Sequence, residues 1–206
     1  MKRLVNDPIL KRQLLSRYLW PGLGLDCGPD DPLTIDFAAL SQQYEAVKYE
    51  DISQPGSFVE GKALWSERSL LHAYFYCTET FRNRGLRIFR RHQLIVETES
   101  LLYKGERTEY LQTLERGGLM GISYSDLRSL MKIHPPLNEA MLRLHRESEH
   151  YYHALNQYLL KPPLTRFREF AERHREVISR IPHAIRSAHI HVSETEYYRL
   201  LKKYGK

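Results

Sequence analysis

The feature that most constrains this chain is a helical pattern that runs without a break from Leu137 to Leu160, between Pro135-Pro136 and Pro162-Pro163. Within it Leu137, Met141, Leu144, Ser148, Tyr151, Leu155 and Tyr158 recur at alternating spacings of four and three. Such a heptad seam is what a paired helix needs and an isolated one does not. The pattern predicts that two copies of the chain pair through Leu137, Met141, Leu144, Tyr151, Leu155 and Tyr158. The alternative is one helix laid on the core of its own domain. The prolines suggest a division into residues 1–136, a pairing helix over 137–161 and a small unit over 162–206.

The two flanks have different textures. Before the long helix, Asp7 to Leu19 reads as a helix with Leu10, Leu14, Leu15 and Tyr18 on one stripe, ended by Trp20-Pro21-Gly22. Thr34 or Asp36 is placed to cap a second helix reaching about Tyr44. From Val47 to Ser123 the pattern becomes short and β-like: Leu71 to Thr78, Leu86 to Phe89, Leu94 to Val96 and Tyr110 to Leu114, with Asn83-Arg84-Gly85 as a tight turn. Many short strands at this spacing predict a roll or barrel. A short helix follows from Ser123 to Ile133, capped by Ser123 or Ser125.

After Pro163 the chain is helical. Leu164 to Ile178 carries Phe167, Phe170, Ala171, His174 and Ile178 on one face. Two short pieces remain, Ala184 to about Ile190 and Ser193 to Tyr204, the second with Ser193 and Glu196 in capping-box positions. Two short helices joined by about three residues, the second basic, have helix-turn-helix proportions. Charge follows the same division. Residues 162–206 carry 10 basic and 5 acidic side chains, net +5 of the whole chain's +6. A basic segment behind a nearly neutral body suggests an acidic partner, nucleic acid first, with a solvated basic face as the plain alternative.

The order of β-roll, heptad helix and short terminal helices resembles the Crp/Fnr family of bacterial transcription regulators, closest to the branch common in Bacteroidetes. Three stretches carry the resemblance: Leu114 to Leu130 with His134-Pro135, Arg166 to Phe170 with Ile178 to Pro182, and Val192 to Lys203. It implies an α+β fold: an N-terminal cyclic-nucleotide-binding-like jelly roll, a long dimerisation helix and a C-terminal winged helix-turn-helix-like helical domain. It also implies a dimeric regulator that binds double-stranded DNA, not an enzyme, with RNA polymerase as a further partner.

In nucleotide-binding members a Glu, an Arg and a Ser/Thr hold the ribose and the cyclic phosphate. Arg107-Thr108 resembles the Arg–Ser/Thr pair and Glu97 lies ten residues earlier, so a cyclic nucleotide or another small anionic effector is implied at Glu97, Arg107 and Thr108. The chain departs from the pattern in lacking glycines around Val96 to Glu99 and in placing Glu99, Glu106 and Glu109 nearby. For DNA the resemblance implies Ser193, Glu194 and Thr195 at the reading end of the last helix, with Arg199, Lys202, Lys203 and Arg186 on bases or phosphates. Here too there are departures: His191 stands at the turn glycine, Arg186 at an apolar position, and Glu194-Thr195 where bases are read. The alternative function is a relic of this domain that works through protein contacts without DNA or nucleotide.

Other chemistries find no support. His189-Ile190-His191, His150 and His153 form no metal-ligand pattern, and Cys27 and Cys77 supply neither a zinc site nor the iron–sulfur cluster of Fnr-like members. No nucleophile, acid–base or phosphate-loop constellation can be assembled. No apolar run is long enough for a membrane span, and the N-terminus lacks the apolar core of a signal peptide, so a cytoplasmic location is expected.

Overall fold

The computed structural model describes residues 2–4, 6–56, 61–104 and 106–205. Two antiparallel sheets form the β-roll. One has the order β1 (Lys2–Arg3), β2 (Gln42–Ala46), β9 (Gly117–Ser123), β4 (Lys62–Ser66) and β7 (Leu94–Ile95). The other has the order β3 (Asp51–Ser53), β8 (Tyr110–Thr113), β5 (Leu71–Cys77) and β6 (Arg82–Phe89). Between them Tyr44, Leu64, Leu71, Phe89, Ile95, Leu111 and Leu119 make the roll's inner core.

The turn expected at Asn83-Arg84-Gly85 lies earlier. Those residues pair in β6, opposite Phe75 and its neighbours, and Thr78 to Phe81 make the connection, with Phe81 at φ 53°. Gly85 is needed for another reason: a Cβ there would come within 2.4 Å of the His189 ring.

The N-terminal helix does not stop at Trp20. It runs as α1 (Pro8–Leu14), a π-helical turn (Leu15–Leu19) and α2 (Trp20–Gly22). The Trp20 N–H donates to the Leu15 carbonyl, five residues back, and this widened turn carries the helix past Pro21, whose ring would clash with an α-helical carbonyl. Helix α3 (Pro32–Leu40) is capped by Asp31, not Thr34 or Asp36, and ends before Tyr44, which belongs to β2. The buried Lys11 ammonium closes α3, donating to the carbonyls of Ala38 and Ser41. Helix α4 (Thr98–Tyr103) interrupts the strands, and α5 (Tyr124–Ile133) starts at Ser123, whose hydroxyl accepts from the Asp126 N–H.

Helix α6 (Pro135–Leu159) is about 37 Å long at 1.5 Å per residue, long enough to join separate cores. Its seam faces inward. Leu137 and Met141 are fully buried in a core with Trp20, Phe37, Trp65, Tyr124 and Leu127, and Leu144 packs at its margin. Leu155 and Tyr158 are buried in a third core, and the Tyr151 hydroxyl donates to the Leu86 carbonyl at 2.8 Å. The expected pairing residues are therefore occupied within one chain. Heptad spacing cannot distinguish a second helix from a curved surface of the same chain, because both reward one apolar stripe.

The remaining residues form α7 (Pro163–Arg173), a 3-10 turn (Ile178–Arg180), α8 (His183–His189) and α9 (Glu194–Tyr204). Among the described residues after Pro162 there is no wing strand. Nor is this a unit with a core of its own. Phe167, Phe170, Val177, Ile181, Ile190, Tyr197 and Leu200 pack together with Leu70, Ile88 and Leu114 of the roll.

Candidate functional site: a pocket in the roll and a helix-turn-helix laid against it

Glu97, Arg107 and Thr108 do converge. They line a cavity of about 400 Å³ between the roll and α6, together with Arg87, Phe89, Val96, Glu109, Leu111, His145 and Tyr152. Glu97 is placed by its N–H, which donates to the Tyr124 hydroxyl at 3.0 Å. Tyr124 in turn packs closely on Gly61, where a Cβ would approach its ring to 2.3 Å. Burial pushes the Tyr124 hydroxyl up to about 12, so it stays protonated.

The three residues meet by bonding to one another. The Glu97 carboxylate accepts from the Thr108 N–H at 3.0 Å, the Thr108 hydroxyl at 3.1 Å and the Arg107 Nε–H at 3.3 Å. These are the donors that a phosphate would need, and the chain's own carboxylate already holds them. Glu99, Glu106, Glu109 and Glu149 also line the cavity, against Arg87 and Arg107. Glu109 accepts from the Tyr152 hydroxyl, and burial is the main cause that holds its carboxyl above the ordinary range. Arg87 also lies over the rings of Phe89 and Tyr151, at 5.0 and 4.7 Å. The pocket is acidic, and an anion entering it must displace Glu97.

The second site is the α8–turn–α9 unit. Ser193 caps α9, accepting from the Glu196 N–H at 3.1 Å. The Glu196 carboxylate turns to Arg199 at 2.7 Å instead of closing the capping box. At the turn, His191 adopts φ 53°, the left-handed conformation that favours glycine, and its Nε2 lies 3.2 Å from the Gly85 carbonyl on β6. The side chain that replaces glycine thus ties the turn to the roll.

Arg186 is no phosphate contact in this arrangement. Its guanidinium donates to the carbonyls of Ile181, at 2.6 Å, and Ile178, satisfying the turn that precedes α8. Arg199, Lys202 and Lys203 lie on the exposed side of α9, with Lys203 beside the Tyr204 ring. Ser193, Glu194 and Thr195 border a cleft of about 420 Å³ whose opposite wall is the roll, through His72, Arg82, Asn83 and Gln112.

Ion pairs cross the same boundary. Arg180 makes a bidentate pair with Glu115, and Arg90 pairs with Glu176 at 2.8 Å and donates to the Arg173 carbonyl. One pair commits a tail cation to the roll and the other a tail carboxylate, so together they tie the two parts without changing the tail's net charge. His72, His174, His189 and His191 fill the interface, a role that their scatter along the sequence gave no sign of. The one local hint was Gly85, read as a turn and serving as a seat for the His189 ring. Among the described residues no group of His, Cys, Asp and Glu is arranged to hold a metal ion, and no helix is long and apolar enough to cross a membrane.

Comparisons with known proteins find the fold but no sequence relative. No family model matches the chain, and no curated protein matches it. Among solved structures, the c-di-GMP responsive global regulator CLP of Xanthomonas campestris aligns with a TM-score of 0.68 at 17% identity, over 85% of this chain and 92% of that one. A regulator of the Crp/Fnr family from Eubacterium rectale aligns with a TM-score of 0.72 at 13% identity, over 84% and 82%. The regulatory subunit of a cAMP-independent protein kinase A from Trypanosoma brucei aligns with a TM-score of 0.56 at 13% identity, over 71% of this chain and 52% of that one. The chain has the α+β fold of Crp/Fnr regulators, and the roll within it also occurs in a kinase regulatory subunit.

Proposed function

We propose that the protein is a cytoplasmic, DNA-binding transcription regulator of the Crp/Fnr type. The observation that carries this reading is the capped α9 behind a left-handed turn, with Arg199, Lys202 and Lys203 on its open side, at the end of a Crp/Fnr fold. Phosphate attraction is the part these cations can supply. Base reading falls to Ser193, Glu194 and Thr195, where a carboxylate can accept from cytosine N4. Two copies would present paired readers to a two-fold operator. The side of α6 left open for a second copy carries Leu142, Arg146, His153 and Gln157 rather than the heptad seam. RNA polymerase contact belongs to the same reading.

The cavity at Glu97, Arg107 and Thr108 is the proposed effector site. A cyclic nucleotide or other small anion would bind there by taking over the donors that Glu97 now holds. A second reading, a roll that works through protein contacts alone, is favoured by the inward Arg186 and by the Trypanosoma kinase subunit of the same roll.

Duplex binding decides between them. Anisotropy of a labelled mixed-sequence duplex should show affinity that falls with salt, and Arg199→Ala with Lys202→Ala and Lys203→Ala should reduce the log–log salt slope by about 3. No binding by the parent chain at low salt, at pH 7.5 and at pH 6.0, would contradict DNA binding and leave the second reading.

A further inference from the structure

We propose that acidification unlatches the C-terminal helices from the β-roll, through the histidine-filled interface between α8 and β6, and so moves the roll away from the leading turn of α9. Only the consequence for DNA rests on the function proposed above; the latch itself does not.

The cleft before Ser193, Glu194 and Thr195 has the roll as its opposite wall. Glu194 and Thr195 are exposed at its mouth, but a helix that reads bases must lie in a major groove about 12 Å wide, and the docked roll stands opposite them, where the duplex would have to lie. Beside the apolar contacts and ion pairs that cross this boundary, four rings fill it: His189 seated on Gly85 and beside Phe170, His72 with its centroid 5.6 Å from His189, His174 against Phe170 at 4.6 Å, and His191 on the Gly85 carbonyl. His72 Nδ1, His174 Nδ1 and His189 Nε2 are buried without a hydrogen-bond partner, so protonation there would place charge where no acceptor waits.

The surrounding charges reinforce this. Arg84 of β6 and Arg166 of α7 act on His191; Arg90 of the roll and Arg173 of α7 act on His174; the other three rings act on His189. Asp51 is the one carboxylate among the described residues that acts on a ring, His72, whose Nε2 also meets Gln112 at 3.2 Å. Arg82 and Glu194 line the cleft beside it. Burial leads in every case, holding His72, His174 and His191 down at about 4 and His189 well below its ordinary value.

The sign follows from linkage. The docked form binds fewer protons, so docking is fully favourable above the free value near 6.5 and is lost as pH falls from there toward 4. A ring that regains about 6.5 on release weakens docking about fourfold between pH 7.5 and pH 6.0, and three such rings about fifty-fold.

The test measures the distance between spin labels on the native Cys77, at the tip of β5, and on Glu172→Cys in α7, with Cys27→Ser to remove the second native thiol. One short distance at pH 7.5 should give way to a growing longer population at pH 6.0 and 5.0 while far-UV circular dichroism keeps its helical signal. His189→Leu, which removes one titrating ring and keeps the apolar contact, should make that transition less steep. A distance unchanged from pH 7.5 to 5.0, a long population already dominant at pH 7.5, or opening only together with loss of helix would each overturn the latch. Opening without any duplex binding at pH 6.0 would support the latch and contradict the proposed DNA reader.

Discussion

The pocket in the roll and the reader on α9 are both occupied by the chain itself, but at different range. In the pocket, Glu97 reaches partners ten and eleven residues away, Arg107 and Thr108, so the occupant and the occupied donors share one short stretch. At the reader, Arg180 meets Glu115 across 65 residues and His191 meets Gly85 across 106. A local occupant can be displaced by moving one side chain. A distant one requires a whole helical unit to leave the roll, and many weak contacts must yield together.

Four substitutions break or sharpen that contrast, in falling order of effect. Leu137→Ala should lower unfolding stability by about 2–5 kcal/mol, because the side chain is fully buried in its own chain, and urea melts should show this with the dimer fraction in sedimentation unchanged. A fall in dimer fraction with unchanged stability would return the seam to a pairing role. Gly85→Leu drives a side chain into the His189 ring and should weaken the docked form by about 1–3 kcal/mol, read as faster proteolytic cleavage between the roll and α7. Glu97→Gln should leave Arg107 without its charged partner and raise affinity for a cyclic nucleotide about tenfold, or ~1.4 kcal/mol, by calorimetry. No gain there would mean that Glu99, Glu106, Glu109 and Glu149 exclude an anion regardless of Glu97. Arg180→Ala should have the smallest effect, about 0.2–1 kcal/mol on thermal unfolding, since its pair with Glu115 is partly exposed.

The same contrast explains what could be read in the sequence. The β-roll and long helix, and the helical tail, followed from strand spacing, proline placement and caps such as Ser123 and Ser193, all local signals. The convergence of Glu97, Arg107 and Thr108 followed from resemblance within one short stretch. What escaped was non-local. The seam of α6 has the same period whether it meets a partner or the Trp20–Phe37 core. Arg186 reads as a surface cation until the carbonyls of Ile178 and Ile181 are brought under it. Pro21 reads as a helix end because a π-helical turn, which relieves its clash, has no strong sequence mark. The net +5 of the tail does not show which charges are committed: Arg180 pairs with Glu115 of the roll and Glu176 with Arg90 of the roll, so the pairs across the boundary leave the sum unchanged.

The most direct test of α9 as a DNA reader held against the roll is the duplex affinity of the parent chain and of Gly85→Leu, measured side by side at pH 7.5 and low salt. Binding should be tighter for Gly85→Leu, because the docked form that sets the roll opposite Ser193 to Thr195 is weakened. Equal or weaker binding by a folded Gly85→Leu, or none by either protein, would contradict it.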